Sequence, residues 1–396
     1  MNELASGLRL TSEETGRILA FRHEMHRNPE LSHAEFQTTE KIKAFLDTLP
    51  GIEILPLKKE LTGVVARLVG GKPGAEIGLR ADIDAICQTE ETDLPWKSVR
   101  EGSMHACGHD FHTAGLLGAA MILSRNREDV PGTVDFLFQE AEETTDGARE
   151  MIEAGLFDVS SPEAFFGEHN RPEVEVGKVV CKNGALMAAK TNFRIRILGR
   201  GGHGSMPHLC DDPIVAAAAI IQSLQTVGSR NTDPLDGVVL TVGSIHGGSI
   251  ENLVADKVEM LASIRALSVA ARERAVRRME EIVKSTANAY GCRAEIEYRE
   301  ILPLVFNSEE MYKKAVFAAE MAVGAENVVD VPPTLASEDF SMIMERVPSF
   351  FYWIGSGKPG QQAFAWHQSR FRADDAGVKV AAEVMAAVAF AYDKCR

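Results

Sequence analysis

No apolar run in this sequence approaches the ~20 residues that a helix needs to cross a bilayer. The longest stretches, such as the one around Ala216–Ile221, are far shorter, so no membrane span is expected. Basic residues are in deficit: 42 Lys and Arg stand against 57 Asp and Glu, a formal net charge of −15. Such a surface repels phosphate backbones, which argues against a nucleic-acid partner. The six cysteines, Cys87, Cys107, Cys181, Cys210, Cys292 and Cys395, lack the spacing of a disulfide framework. They are expected to be free thiols of a reducing compartment. The opening MNELASGLRL has no basic stretch followed by an apolar one. No secretory leader is read there, and a cytoplasmic protein is expected. Internal repeats, low-complexity segments and long linkers are absent too. What is there is ordinary globular material: 396 residues, 45% hydrophobic, enough for two or three domains with full cores.

Two textures alternate along the chain. Thr11 with Glu14 is a capping box that opens a helix to about Arg27, stopped by Asn28-Pro29. A second helix is expected to carry Phe36, Ile42, Phe45, Leu46 and Leu49 on one face. Short apolar strands follow, at Glu76–Ala81, Thr133–Phe138, Ala164–Gly167 and Ser349–Ile354, with the apolar helix Ala114–Leu123 among them. Asp374 or Asp375 caps a final helix, read as amphipathic. Buried strands separated by helices indicate a mainly parallel sheet. Between about 187 and 300 the pattern becomes strands of alternating polarity, as in Phe193, Ile195 and Ile197 against Arg194 and Arg196. There Asp212-Pro213 opens a helix that Gly228 is expected to close. The order β-α-β-β-α-β is ferredoxin-like. The expected architecture is α/β: a mainly parallel-sheet domain in two parts, 1–186 and 301–396, with an inserted ferredoxin-like α+β domain at 187–300.

Polar clusters sit just after the buried strands, and in an open α/β sheet those positions gather at one edge. Met104-His105-Ala106-Cys107-Gly108-His109-Asp110-Phe111-His112 packs thiol and imidazole donors into one loop, a set that suits zinc and other transition metals. By itself it is almost as well read as a helix start that merely packs. Glu140, Glu142 and Glu143 follow the Thr133–Phe138 strand. Adjacent carboxylates there can divide metal binding from proton transfer, although most acidic turns are only solvated. His169 ends a strand, and His367 follows another after a glycine-rich loop; either one alone fits a structural or loop histidine equally well. Gly199–His208 is glycine-rich but lacks the Lys-Ser/Thr ending of a phosphate loop. It reads better as a loop presenting His203. Asn252 and Arg265 flank strands of the same domain, where Arg265 faces either solvent or an anion. Taken together, one Cys, three His and one Glu along one edge make a ligand set for two metals.

Across nearly its whole length the sequence resembles the aminoacylase and carboxypeptidase family of dinuclear metallopeptidases, in the branch of hippurate and indole-acetyl-amino-acid hydrolases. The matching stretches are RHEMHRNPELSHAE, LRADIDA, MHACGHDFHTA, FQEAEE, FGEHN, GRGGHGSMPH with DDPIVAAAA, LASEDF and WHQSRF. The resemblance implies Cys107, His109, Glu143, His169 and His367 as metal ligands and Glu142 as general base. It implies His203, Asn252 and Arg265 as substrate-contacting residues of an inserted lid domain that also forms a homodimer, with His203 acting in the partner's site. The expected activity is hydrolysis of N-acyl amino acids by water activated on two divalent ions that Cys107 bridges. Zinc or manganese is expected, with nickel or cobalt as alternatives. Asp82 and Asp110 are expected behind the ligands, orienting imidazoles. A dipeptidase or carboxypeptidase with the same machinery is the nearest alternative, and a non-catalytic metal-binding dimer a remote one. The family pattern usually has Pro at Glu140, Gly at Thr144, and a small residue, Pro and an apolar residue where Gln368-Ser369-Arg370 stand. No ligand is lost by these departures, which bear on substrate preference.

Overall fold

The computed structural model describes residues 7–395, the last without its side chain. Residues 1–6, where the expectation of no leader rests, and the Cys395 thiol lie outside the described residues. The chain divides into two compact units. One comprises Met1–Gly184, Phe306–Pro332 and Asp339–Arg396; the other comprises Ala185–Val305 and Pro333–Glu338. The second unit therefore takes back a short stretch well beyond residue 300, which sequence texture did not reveal.

The first unit is built on an eight-stranded sheet. Its order is Ile52–Leu55, Val64–Val69, Pro131–Gln139, Lys72–Asp82, Ala164–Glu175, Ser349–Gly357, Val179–Val180 and Val328–Val329. Pro131–Gln139, Lys72–Asp82, Ala164–Glu175 and Ser349–Gly357 run parallel, which makes the sheet mainly parallel as expected. They are buried over most of their length, so their apolar residues are not confined to alternate positions. The helices His109–Arg125 and Ala376–Ala391 are packed closely: a Cβ on Gly115 would stand 2.8 Å from the Ala381 methyl. Ala376–Ala391 is buried nearly all round. The amphipathic reading of that helix is thus corrected; its alanines fill a core position rather than a surface stripe. The Thr11–Glu14 capping box forms as expected. In Phe36–Leu46, by contrast, Phe36 is exposed while Ile42, Phe45 and Leu46 are buried.

The second unit has a four-stranded antiparallel sheet in the order Val238–Gly247, Lys257–Ala266, Ala189–Leu198, Arg293–Leu302. The helices Pro213–Arg230 and Val269–Ala289 contribute to its separate core. Asp212 caps the first of these, accepting from the amide of Ile214 at 2.9 Å. Gly228 lies inside that helix rather than ending it; an internal glycine costs only about 1 kcal/mol against alanine, which packing offsets. Arg194 and Arg196 pair with Glu259 and Glu297 across neighbouring strands, so the polar face of the alternation is an ion-pair ladder. Among the described residues no helix is long and apolar enough to cross a membrane.

Candidate metal centre

The parallel strands deliver the polar residues to one edge. Lys72–Asp82 ends in Asp82, with Asp84 two residues on, and Pro131–Gln139 runs into Glu140–Glu143. His169 and Asn170 lie within Ala164–Glu175, which continues past the point where its apolar run stops. The loop carrying Cys107 turns into its helix through Gly108, at φ +90°, a region that L side chains rarely enter. A Cβ at Gly108 would also fall 2.4 Å from Asn170 Nδ2. That amide nitrogen donates to the Cys107 carbonyl at 2.5 Å and so clamps the loop. His367 closes the edge: its φ is +64°, and its backbone N–H donates to Ala106 O at 2.8 Å.

Hydrogen bonds fix which ring nitrogens face inward. His109 Nδ1 donates to Asp84 Oδ1 at 2.9 Å, which turns Nε2 toward Glu143. His169 Nδ1 donates to Asn170 O at 2.8 Å, and its Nε2 lies 3.3 Å from Cys107 Sγ. His367 Nε2 lies 3.3 Å from Glu143 Oε2. His109 Nε2 and Glu143 Oε1 face each other at 3.7 Å, and both are buried without a hydrogen-bond partner. Such atoms are costly unless something binds them. Among the described residues, the sets of donor atoms that lie within 4.8 Å of one another include Cys107, His109 and His169; Cys107, Glu143 and His367; His109, Glu142 and Glu143; and Asp82, His109 and His112. Cys107 belongs to two of these sets, so its one sulfur is common to both.

The electrostatics suit cations. Burial opposes a charge on His109, yet Asp82 and Asp84 push it up to about 10. Burial, then Glu143 and Glu142, holds the Cys107 thiol well above its ordinary range. A thiol among carboxylates ionises only when positive charge arrives, which a divalent ion supplies. His112, another candidate of the loop, is already satisfied: Nδ1 donates to Asp82 Oδ1 at 2.6 Å, and Nε2 accepts from Asn170 N at 2.9 Å. His105 is buried with both ring nitrogens unpartnered.

The residues behind the ligands differ from expectation. Asp110 holds no ligand imidazole; it accepts from Arg22 Nε at 2.9 Å and His26 Nδ1 at 3.1 Å, because its position at the helix start points it toward the Ser12–Arg27 helix. Asp82 binds His112 and Arg80 and comes only to 3.7 Å from His109 Nε2. The residue that orients His109 is Asp84, and its signal was its place two residues after Asp82 in LRADIDA. His203, Asn252 and Arg265 belong to the second unit. His203 Nδ1 accepts from the Ser205 amide at 3.1 Å, so the proton sits on Nε2. Gly204 N donates to Asn252 O at 2.8 Å, which brings His203 and Asn252 into one loop pair. Arg265 Nη1 donates to Leu335 O at 2.9 Å. Arg265 pairs with Lys190 at the far end of the strand whose other end, Lys257, pairs with Leu198 near the His203 loop. At ~3.3 Å per residue the two ends are roughly 26 Å apart.

Comparison with known proteins gives consistent results. The profile of peptidase family M20/M25/M40 matches residues 78–391. An N-acetylcysteine deacetylase of Bacillus subtilis is 38% identical over 373 residues, 94% of this chain and 96% of that protein. An N-acetyldiaminopimelate deacetylase of the same organism is 34% identical over 369 residues, 93% of this chain and 96% of that protein. A crystal structure of a Bacillus subtilis protein, described as a dinuclear metal binding peptidase from the M20 family, superposes with a TM-score of 0.83. It is 36% identical and covers 96% of this chain and 98% of that one.

Proposed function

The chain belongs to peptidase family M20/M25/M40 and is a metal-dependent amidohydrolase, and we propose that it cleaves the amide bond of N-acyl amino acids, N-acetyl ones foremost. The observation that carries this reading is the sharing of Cys107 between two donor sets, with Glu142 beside His109 and Glu143. Cys107, His109 and His169 would hold one ion, and Cys107, Glu143 and His367 the other. Mixed thiolate, imidazole and carboxylate donors accept zinc or manganese, with nickel or cobalt as alternatives. When bound, the ions supply Lewis acidity that polarises an amide carbonyl and acidifies water.

The remaining work falls to this chain's own groups. Glu142 takes a proton from the attacking water and passes it to the departing amine. His203, whose Nε2 carries the proton, donates to the developing oxyanion. Arg265 and Asn252 hold the carboxylate of the leaving amino acid. His203 and Asn252 share a loop pair, while Arg265 lies toward the end of the four-stranded sheet remote from that loop. This separation supports a homodimer in which the His203 loop serves the partner's centre. Exposed apolar residues on the second unit, among them Val239, Ile245, Ile214 and Val215, are the surface such a dimer would bury.

The test is a hydrolysis screen. Protein stripped by a chelator and reloaded with zinc or manganese is given acetyl-, benzoyl-, aminobenzoyl- and indole-acetyl-amino acids, with free dipeptides as comparison. Metal-dependent release of amine from an acyl amino acid is expected, and faster than from dipeptides. Release from dipeptides alone would move the assignment to a dipeptidase. No release from any amide with any metal would overturn it.

A further inference from the structure

The turn carrying Glu142 and Glu143 runs from Gln139, the last residue of its strand, to the helix that begins at Gly147. Its backbone twice enters the left-handed region at a non-glycine residue, at Ala141 with φ +51° and Thr145 with φ +61°. Such a turn persists only where its surroundings over-determine it. Within the turn, Thr145 N donates to Glu142 O at 2.7 Å, Gly147 N to Ala141 O at 3.2 Å, and Thr144 Oγ1 to Ala141 O at 3.2 Å. Carboxylates from elsewhere take further amides. Glu35 Oε1 accepts from Ala141 N at 2.8 Å, Asp84 Oδ2 from Glu143 N at 3.0 Å, and Asp339 Oδ2 from Ala148 N at 2.9 Å.

Asp339 differs from the other two because it grips both ends of the turn. Its second oxygen, Oδ1, accepts from Gln139 Nε2 at 2.7 Å, across 200 residues of chain. Oδ1 also accepts from Arg80 Nη2 at 3.3 Å, and Arg80 in turn donates to Gln139 Oε1 and to Asp82 Oδ2, each at 2.9 Å. Arg80, Gln139 and Asp339 are all fully buried. Asp339 stands in the LASEDF stretch, which has no role in the reaction described above.

We propose that Asp339 is a positioning residue of the amide-hydrolysing centre. By pinning Gln139 and Ala148 to one rigid carboxylate, it fixes where Glu142 stands relative to His109 and Glu143. The proposal rests on the reading of Glu142 as the proton carrier. Asp339→Asn keeps the size of the side chain but turns an N–H₂ against a donor, either the Ala148 amide or the Gln139 and Arg80 pair. A displacement near 1 Å in a catalytic group lowers rate by about 10²-fold. The expected result in Asp339→Asn is therefore a kcat, per metal-loaded site, about 10–100-fold lower with KM within twofold.

A second measurement needs neither metal nor substrate. Hydrogen exchange of the metal-free protein should speed up at the amides of residues 141–148 and stay unchanged in the central strands. Gln139→Met, which cuts one arm and leaves the Asp339–Arg80 pair, should show the same pattern more weakly and serves if Asp339→Asn does not fold. Unchanged kcat per loaded site overturns the proposal, as does exchange that is unaltered in the turn or raised evenly across the sheet. If the wild-type protein hydrolyses no amide, the proposed function fails, and local exchange alone decides whether Asp339 pins the turn.

Discussion

Glu142 and Glu143 are neighbours in sequence and both belong to the donor set around His109, and Glu143 also belongs to a set with Cys107 and His367. That asymmetry separates their tasks. Glu142→Gln should lower kcat by about 10²–10⁴-fold, the usual contribution of a general acid–base, while metal per subunit stays near the wild-type value. Glu143→Gln should lose metal, measured by elemental analysis after gel filtration. The opposite result in the two variants would exchange the roles. At this scale the sequence was informative about donors and poor about what stands behind them. Cys107, His109, Glu143, His169 and His367 stood out because each follows or ends a buried strand or begins a helix, but it was the family resemblance that implied them as a ligand set. Asp84 and Asp110 could not be sorted, since Asp110 adjoins His109 in sequence while Asp84 stands 25 residues from it, and only the direction of the side chain decides which imidazole each meets.

Elements were legible where burial is uniform and blurred where polarity changes along them. Ala164–Glu175 looked shorter than it is, because Glu168, His169 and Asn170 interrupt an apolar run that the backbone continues. The loop-to-helix junction at Gly108 is where element geometry governs the centre. Gly108→Ala should lower stability by about 1–3 kcal/mol through left-handed strain, with further loss from crowding Asn170. It should also release metal to a chelator faster, which thermal melts and competition assays would read. The Ser12–Arg27 helix is tied down by charge. His26 donates to Asp110 at 3.1 Å and to Glu90 at 3.2 Å, with His105 and Arg22 close by. Burial lowers the His26 pKa, but the two carboxylates outweigh it and raise it to about 9. A raised folded-state value means that the stabilisation is complete below about 6.5 and is lost as pH rises toward 9. The metal-free protein should lose up to about 3 kcal/mol across that window through this group. Urea denaturation at pH 6.5, 7.5 and 9 should show a flatter profile in His26→Gln; equal slopes in the two proteins would refute the assignment.

For the whole molecule, the proposed dimer makes a prediction about mixtures. Glu142→Ala and His203→Ala are each expected to be inactive. Unfolded together and refolded, half the dimers should be hybrids, and each hybrid should carry one centre with both residues intact. About a quarter of wild-type activity should return if the assembly is two-fold and isologous. A mixture no better than its parents would show that His203 serves its own chain. The interleaving of the two units in sequence has a separate outcome in time. The Ser349–Gly357 strand lies against Ala164–Glu175 in the middle of the first sheet, and His367 follows it. At ~5–20 residues per second, translation leaves that sheet unfinished for on the order of ten seconds while the residues of the second unit emerge. During that interval the nascent chain already holds Cys107, His109 and His169 but not His367, so ribosomal order itself stages which of the two ion positions is completed first.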